Sequence, residues 1–245
     1  MKSSPAEQKE LLRLQRLDTR LQQLAHRLSA LPQTTALAEL DARDDAERRR
    51  RAEASGVLED ARIELGRVES DVATVEARIA RDSDRLTHTS SVKDVNALES
   101  ELTSLRKRLS DLEDIEIAVM QRVEDAEGVV AGIDAVRETI SADVIRVSTE
   151  RDAASGELAT ERDQVTRDRE AVASTISDEL QAFYERRRAA GGGVGAALLQ
   201  ARTCGGCTIT LTGSDLEAVR RAAPDDVIQC PDCERILVRT DESGI

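Results

Sequence analysis

The sequence predicts a mainly α protein in which a long antiparallel coiled-coil helical hairpin is followed by a small C-terminal β-rich domain. Charged residues make up 34% of the 245 residues, whereas the chain has one Phe, one Tyr and no Trp. Such a composition suits the burial of a narrow seam better than that of a broad core. Apolar residues also recur at alternating spacings of three and four along most of the first 190 residues, and all four cysteines follow that region.

The first helical segment contains a leucine seam of the a/d type. Pro32 interrupts the seam, and a new frame begins at Leu37. Within this frame the stretch DARDDAERRRR places Asp44, Glu47 and Arg51 at seam positions, so the coiled coil is expected to be loose or bent there. The leucines of the first seam are Leu14, Leu17, Leu21, Leu24, Leu28 and Leu31.

The stretch SDRLTHTSSVKD ends the first periodicity and supplies Ser and Thr caps for a new helix, which predicts a turn at about residues 83–91. A second seam then runs from Val95 to Val172 without a slip of register. Folding back at this turn lets the two seams bury each other, with residue i facing roughly residue 174 minus i. This register places Leu14 near Glu161. A parallel homodimeric coiled coil is the alternative interpretation.

The end of the second helix carries both aromatic residues, Phe183 and Tyr184, directly before ERRRAAGGGVG. Their adjacency predicts a small packing plug, and stacking of Tyr184 on a base is the alternative. The arginines favour a helix C-terminus and the glycines then end the helix. The predicted organisation is therefore a hairpin over 1–190, a Gly-rich hinge over 191–195 and a C-terminal domain over 196–245.

Two CxxC pairs, separated by 22 residues, contain all the cysteines: Cys204, Cys207, Cys230 and Cys233. Two such turns can complete a closed tetrahedral zinc site, and this spacing is typical of a zinc ribbon with one structural Zn²⁺. A C-terminal domain of about 50 residues also needs a cross-link such as a bound metal to be stable. Three alternatives to zinc are weaker. Disulfides need an oxidising compartment, and thioredoxin-like chemistry needs a βαβ frame that is absent here. Rubredoxin-type iron is expected in an aromatic core, and this ribbon has no aromatic residue.

The hairpin pattern, the neck FYERRRAAGGGVG and the pair CGGC and CPDCERIL together resemble the bacterial C4-type zinc-ribbon family with an N-terminal coiled-coil hairpin. That family includes regulators associated with flagellar assembly and type III secretion. The resemblance covers essentially the whole chain and implies that the four cysteines bind zinc. It also implies a partner site at the hairpin tip, with Lys93, Asp94, Asn96, Leu98 and Glu101.

Two positions depart from the pattern of this family, which usually has Gly after the last cysteine and an aromatic residue near the end of the final strand. This chain has Glu234 and Val238 there. Because Gly suits a positive φ, Glu234 implies a strained or altered turn. A function that relies on an exposed aromatic residue in the last strand is not expected here.

Charge and composition favour a non-catalytic adaptor or regulatory protein with a protein partner, which the resemblance implies is a secretion or transcription component. The net charge is −13, and residues 194–245 contain five Arg, no Lys and eight acidic residues. Non-specific attraction to nucleic acid is therefore disfavoured. The alternative is a nucleic-acid-binding regulator of transcription or messenger RNA, whose contacts would be Arg186, Arg187, Arg188, Arg202, Arg220, Arg221 and Arg235.

The remaining expectations concern enzyme activity, location and assembly. The sequence shows no catalytic His arrangement and no phosphate-binding loop, and a four-Cys site leaves no open position for substrate. It has no signal-peptide pattern and no run of 18 apolar residues, so a cytoplasmic protein without a membrane partner is expected. Either a monomer or a coiled-coil dimer is consistent with the pattern.

Overall fold

The computed structural model describes residues 1–245 and contains four helices before the ribbon. They are α1 (Pro5–Ser29), α2 (Pro32–His88), α3 (Val92–Ala173) and α4 (Asp178–Ala190). The break predicted at Pro32 is present, because α1 ends where the Ala30 amide donates to the His26 carbonyl and Pro32 then opens α2. Proline is tolerated there because the first turn of a helix needs no amide donor. None of the helices combines the length and the apolar character needed to span a bilayer.

The chain divides into two compact units. Unit 1 contains Met1–Thr34 and Thr149–Ile245, and unit 2 contains Thr35–Ser148. The C-terminal ribbon therefore belongs to the same unit as α1, α4 and the last part of α3.

Unit 2 is an antiparallel pair formed by α2 and α3, which are connected by residues 89–91. Leu40, Ile140 and Val147 form a buried cluster in its seam. The polar seam positions predicted near DARDDAERRRR are filled by ion pairs, since Arg137 Nε lies 2.9 Å from Asp44 Oδ1 and Arg51 Nε lies 2.6 Å from Asp134 Oδ1.

The register of the antiparallel pair differs from the predicted one. Arg51 lies beside Asp134, and Arg78 lies beside Glu101. The predicted relation would have placed each of these arginines opposite a residue nearer the start of α3. The shift arises in part because α2 continues to His88 and in part because long arginine side chains reach residues that are not directly opposite.

Unit 1 has a core shared by the helices and the ribbon. Its buried residues are Leu11, Leu14, Val172, Ala173, Ile176, Leu180, Tyr184, Ala196, Ile236 and Val238. Leu14 therefore packs near Val172 and not, as predicted, near Glu161, whose carboxylate instead pairs with Arg20. Val238, at the position where an aromatic residue was expected, is fully buried in this core.

The second helix is interrupted before the aromatic pair, which the sequence had placed at its end. α3 ends at Ala173 and α4 begins at Asp178. The hydroxyls of Ser174 and Thr175 donate to the carbonyls of Ala171 and Val172, respectively, and such local bonds compete with the helical ladder. The break allows Ile176 to enter the core.

The ribbon contains a four-stranded sheet in the order β2, β1, β4, β3. Its elements are β1 (Ala196–Gln200), β2 (Thr203–Cys204), α5 (Gly213–Arg221), β3 (Ile228–Gln229), β4 (Ile236–Val238) and a terminal 3₁₀ turn (Asp241–Ser243). β1 runs parallel to β4, and the other two neighbouring pairs are antiparallel. α5 covers residues 214–221 of the stretch SDLEAVRRA.

Candidate metal centre and its attachment to the helices

The first cysteine turn begins at the end of β2. The Thr208 amide donates to the Cys204 carbonyl over 2.8 Å and closes the turn. The Gly206 amide points at Cys204 Sγ at 3.4 Å. A Cβ on Gly206 would lie 2.7 Å from Arg235 Cδ, so close packing favours Gly at this position.

The second cysteine turn repeats this geometry after β3. The Glu234 amide donates to the Cys230 carbonyl over 2.9 Å. The residue after the second cysteine has a positive φ in both turns, 62° at Thr208 and 59° at Glu234. The absence of the usual Gly at Glu234 signalled this conformation in the sequence, whereas nothing comparable was recognised at Thr208.

The four cysteine sulfurs converge on one point. All lie within 4.8 Å of one another, with 3.9 Å between the sulfurs of Cys204 and Cys233 and 3.7 Å between those of Cys207 and Cys230. Tetrahedral zinc with bonds of about 2.3 Å requires sulfur–sulfur distances of about 3.8 Å. The donor set and its spacing therefore fit one structural Zn²⁺.

The surroundings of the sulfurs disfavour uncompensated thiolates at two of the cysteines. Burial raises the pKa of Cys204 and raises that of Cys230 to about 12. At Cys233 burial acts in the same direction, but hydrogen bonds from the backbone and side chain of Arg235 bring the pKa down to about 7. A dication held by the four sulfurs would compensate the thiolate charges in this apolar pocket, which is otherwise lined by Leu199, Leu211, Leu216, Val219 and Leu237.

Family models match both parts of the chain. Residues 14–192 match the CT398-like coiled coil hairpin domain, and residues 203–237 match the C4-type zinc ribbon domain. The chain belongs to the CT398-like family. The four-sulfur centre is thus the zinc site of its C4-type ribbon.

Relatives of this CT398-like protein support the same fold over nearly the full length. An uncharacterized Mycobacterium tuberculosis protein, Rv2229c, is 35% identical over 240 residues, which cover 98% of each chain. A Mycobacterium smegmatis structure has a TM-score of 0.85 at 33% identity, covering 98% of this chain and 100% of that one. The structure of CT398 from Chlamydia trachomatis has a TM-score of 0.63 at 21% identity, covering 95% and 97%, which shows a shared fold.

Arg235 connects the cysteine turns to the glycine-rich neck. Its guanidinium donates to the carbonyls of Gly191, Val194 and Gly206 at 2.9, 3.2 and 3.3 Å. The segment predicted as a hinge is therefore hydrogen-bonded to the ribbon. A second link joins α4 to the second turn, where Arg187 Nη1 lies 2.6 Å from the Glu234 carboxylate.

Gln15 of α1 connects the other side of the neck. Its Oε1 accepts from the Gly195 amide at 2.7 Å, and its Nε2 donates to the Gly193 carbonyl at 3.0 Å. The same oxygen accepts from the Tyr184 hydroxyl at 3.2 Å. The Gln15 side chain thereby makes backbone hydrogen bonds, just before β1, of the kind that a neighbouring strand would make.

Asp18 lies beside Gln15 in a buried charge network. Its carboxylate accepts from the Tyr184 hydroxyl and from Arg169, each at 2.6 Å, and its side chain is 2% exposed. Arg169 also pairs with Glu185. Burial and the Asp18 carboxylate raise the pKa of Tyr184. The Tyr184 ring is fully buried, as its predicted packing role requires, and is not available to stack on a base.

Sequence reasoning did not identify Gln15, Asp18 or Arg169. The buried face of α1 follows Gln8, Leu11, Gln15 and Asp18, which are spaced by three or four residues and lie beside the leucine seam. This second face could have been recognised from its spacing, although its polar members are more typical of a solvated surface.

The predicted tip residues do not share one environment. Lys93, Asp94 and Asn96 are exposed, Leu98 is half-buried, and Glu101 pairs with Arg78 at 2.7 Å. The first three form the open part of the predicted tip site.

Most of the arginines suggested as nucleic-acid contacts have partners within the chain. Besides Arg187 and Arg235, Arg188 pairs with Glu185, and both Arg220 and Arg221 lie within 4 Å of Glu217. The guanidinium of Arg186 lies over the Phe183 ring, 5.6 Å from its centroid. Arg186 and Arg202 are exposed.

Proposed function

We propose that the protein is a non-catalytic zinc-binding adaptor or regulator whose coiled-coil tip and zinc ribbon dock macromolecules. The observation that carries this proposal is the closed four-sulfur centre, in which every coordination position of a tetrahedral ion is taken by cysteine. A metal held in this way stabilises a folded surface and offers no position to a substrate. The ribbon is in turn attached to α1 and α4 through Gln15, Arg187 and Arg235.

A protein partner is supported better than a nucleic acid. Phosphate recognition needs free cationic side chains, and Arg187, Arg188 and Arg235 are already engaged within unit 1. The ribbon region is also net acidic. Reduced thiolate ligands favour a reducing compartment, so we place the protein in the cytoplasm.

The tip is the proposed docking site of the hairpin. Lys93, Asp94 and Asn96 are exposed next to the connection between α2 and α3, and Val92 is 75% exposed beside them. Exposed apolar, charged and amide side chains at neighbouring positions suit a protein-binding surface.

The test captures partners on purified, zinc-loaded protein and compares the wild type with the double variant Lys93→Glu, Asn96→Ala. The control is Lys107→Glu, which changes an exposed lysine farther along α3. We expect a partner that is retained by the control and lost by the tip variant. Equal capture by both variants contradicts the tip assignment.

The nucleic-acid alternative is tested with mixed-sequence single-stranded RNA and DNA at low and near-physiological salt. Arg186→Glu and Arg202→Glu are the informative changes, because these side chains are exposed. Saturable, steeply salt-dependent binding that either change weakens contradicts the protein-partner proposal. Absence of binding at low salt supports it.

A further inference from the structure

Unit 2 exposes a row of apolar side chains, interrupted by charged ones, beside its buried seam. Val57 of α2 is 63% exposed, and Ile115, Val129 and Val136 of α3 are 48%, 55% and 43% exposed. On α3 these residues belong to a series of seven-residue steps through Ile115, Arg122, Val129 and Val136, of which only Arg122 is charged. Residues at such steps lie on one line along a coiled-coil helix.

The heptad assignment places this row on one side of the hairpin. Ala61 and Val68 are buried at d positions of α2, and Val119 and Ala126 are buried at d positions of α3. Val57 and the apolar row of α3 are then at g positions. In an antiparallel pair the g positions of the two helices lie on the same side, as the ion pair between Glu64 and Arg122, both at g, demonstrates. We call this side the g face.

The charges on the α2 part of the g face are ordered. Its successive g residues are Arg43, Arg50, Val57, Glu64 and Asp71. They read basic, basic, apolar, acidic, acidic, so the row is complementary to itself when reversed about Val57. A two-fold axis at Val57 brings Arg50 opposite Glu64 of a second copy, although each also has a partner within its own hairpin, Glu47 and Arg122 respectively. The same axis brings Arg43 opposite Asp71 of the second copy, and each pair occurs twice.

The size of the g face matches that of a stable interface. Four heptads of helix extend about 42 Å, and two neighbouring helices are about 20 Å wide, which gives roughly 800 Å² on each copy. Stable protein interfaces bury about 800 Å² per partner. Apolar residues at a, d and g are also typical of helices that pack in bundles of four.

We propose that the g face of unit 2 is the interface of an antiparallel homodimer centred on Val57. The two hairpins form a four-helix arrangement in which Val57 of both copies lies at the centre and the four charge pairs fix the register. This interface is independent of the adaptor proposal, because it uses neither the tip nor the ribbon.

The first experiment measures the monomer–dimer equilibrium of the full-length, zinc-loaded protein by sedimentation velocity across a range of concentrations. Val57→Lys places two like charges at the centre of the interface and is expected to weaken the dimer about tenfold or more. Ile63→Lys is the matched control, because Ile63 is an exposed apolar residue of the same helix at an f position, away from the g face. The control is expected to retain the wild-type equilibrium.

The second experiment exchanges charges that should meet only between copies. Arg43→Glu alone and Asp71→Arg alone each place like charges opposite each other, and we expect each to weaken the dimer about tenfold. The variant with both changes restores opposite charges and should recover the wild-type dissociation constant within about threefold.

Three results would overturn the proposal. A wild-type protein that stays monomeric throughout the concentration range would show that the g face is not a homodimer interface. A dimer that is indifferent to Val57→Lys uses another surface. Failure of the double charge exchange to recover what the single changes lose, with circular dichroism unchanged, excludes the antiparallel register.

Discussion

At the scale of single residues, the two cysteine turns are held in conformations that their own residues disfavour. Thr208 and Glu234 both have positive φ, a region that a β-branched residue such as Thr rarely adopts. Each follows the second cysteine of its pair and donates the amide that closes the turn. The hydrogen bonds of the cysteine turns therefore hold the backbone of these residues against their intrinsic preference.

Replacing either residue with Gly should stabilise the ribbon. We expect Thr208→Gly to raise the free energy of unfolding by about 1 kcal/mol, because the strain of an αL conformation exceeds the added entropy of the unfolded chain. Glu234→Gly should gain less, since it also removes the ion pair with Arg187. Urea unfolding of the zinc-loaded proteins measures both changes. A loss of stability in both variants would show that the turns are unstrained.

The buried Tyr184 hydroxyl provides a second residue-level test. Tyr184→Phe removes its hydrogen bonds to Asp18 and Gln15 and should cost about 2 kcal/mol of unfolding free energy, because one acceptor is charged. A double-mutant cycle with Asp18→Asn separates this interaction from general packing. Additive losses in the double variant would argue against a direct interaction.

At the scale of elements, the start of α1 is linked to the start of α4. Ser4 and Glu7 form a capping box, and the Glu7 carboxylate also accepts from the Ser177 amide at 3.1 Å. Ser177 is the N-cap residue of α4. One carboxylate thus supports the N-termini of two helices that the sequence places 170 positions apart.

This link predicts a pH dependence of stability. The hydrogen bond from Ser3, together with those from Ser4 and Ser177, lowers the pKa of Glu7 to about 2 from its usual 4.5. Because the folded pKa is depressed, the stabilisation is complete above about pH 4.5 and is lost as the pH falls towards 2. Glu7→Gln should therefore be less stable than the wild type at pH 7 and equally stable near pH 2.

Urea unfolding across this pH range measures the difference between the two proteins. Glu39→Gln, which neutralises an exposed carboxylate of α2, is the control and should follow the wild type. A pH-independent difference between Glu7→Gln and the wild type would exclude ionisation of Glu7 as the cause. Loss of zinc in acid affects all three proteins and is removed by taking differences.

At the scale of the whole molecule, the separate hairpin and ribbon domains predicted from the sequence would let zinc removal unfold the ribbon and leave the helices nearly intact. The core of unit 1 changes this expectation, since Ala196, Ile236 and Val238 of the ribbon pack with Leu11, Leu14 and Tyr184 of the helices. Zinc removal by a chelator, or Cys233→Ser, should therefore also reduce the hydrogen-exchange protection of α1 and α4.

Hydrogen exchange with and without zinc measures the extent of this loss. Unit 2 serves as the internal control, because its amides should keep their protection, and restoring zinc should reverse the change in the wild type. Unchanged protection of α4 after zinc removal would show that the helical part of unit 1 folds without the ribbon.

Much of the architecture could be predicted because its determinants are local. Heptad spacing predicted the two long helices, and Pro32 predicted the first break. Predictions that depended on long-range geometry were less accurate: the turn began later, the register shifted, and α3 ended before the aromatic pair. The end of α3 was poorly signalled in the sequence, because Ser174 and Thr175 interrupt the helix only through hydrogen bonds from their hydroxyls to carbonyls three residues earlier.

The sequence by itself determined the metal centre, because each of the two CxxC turns carries its ligand geometry within four residues. It also determined the coiled coil, because the heptad period is repeated along the chain. Only the tertiary structure decided that Gln15, Asp18 and Tyr184 hold the neck and that Arg235 joins it to the cysteine turns. These bonds connect residues up to 180 positions apart. No local pattern encodes such partners, since burial of their polar groups is favourable only after the core of unit 1 has brought them together.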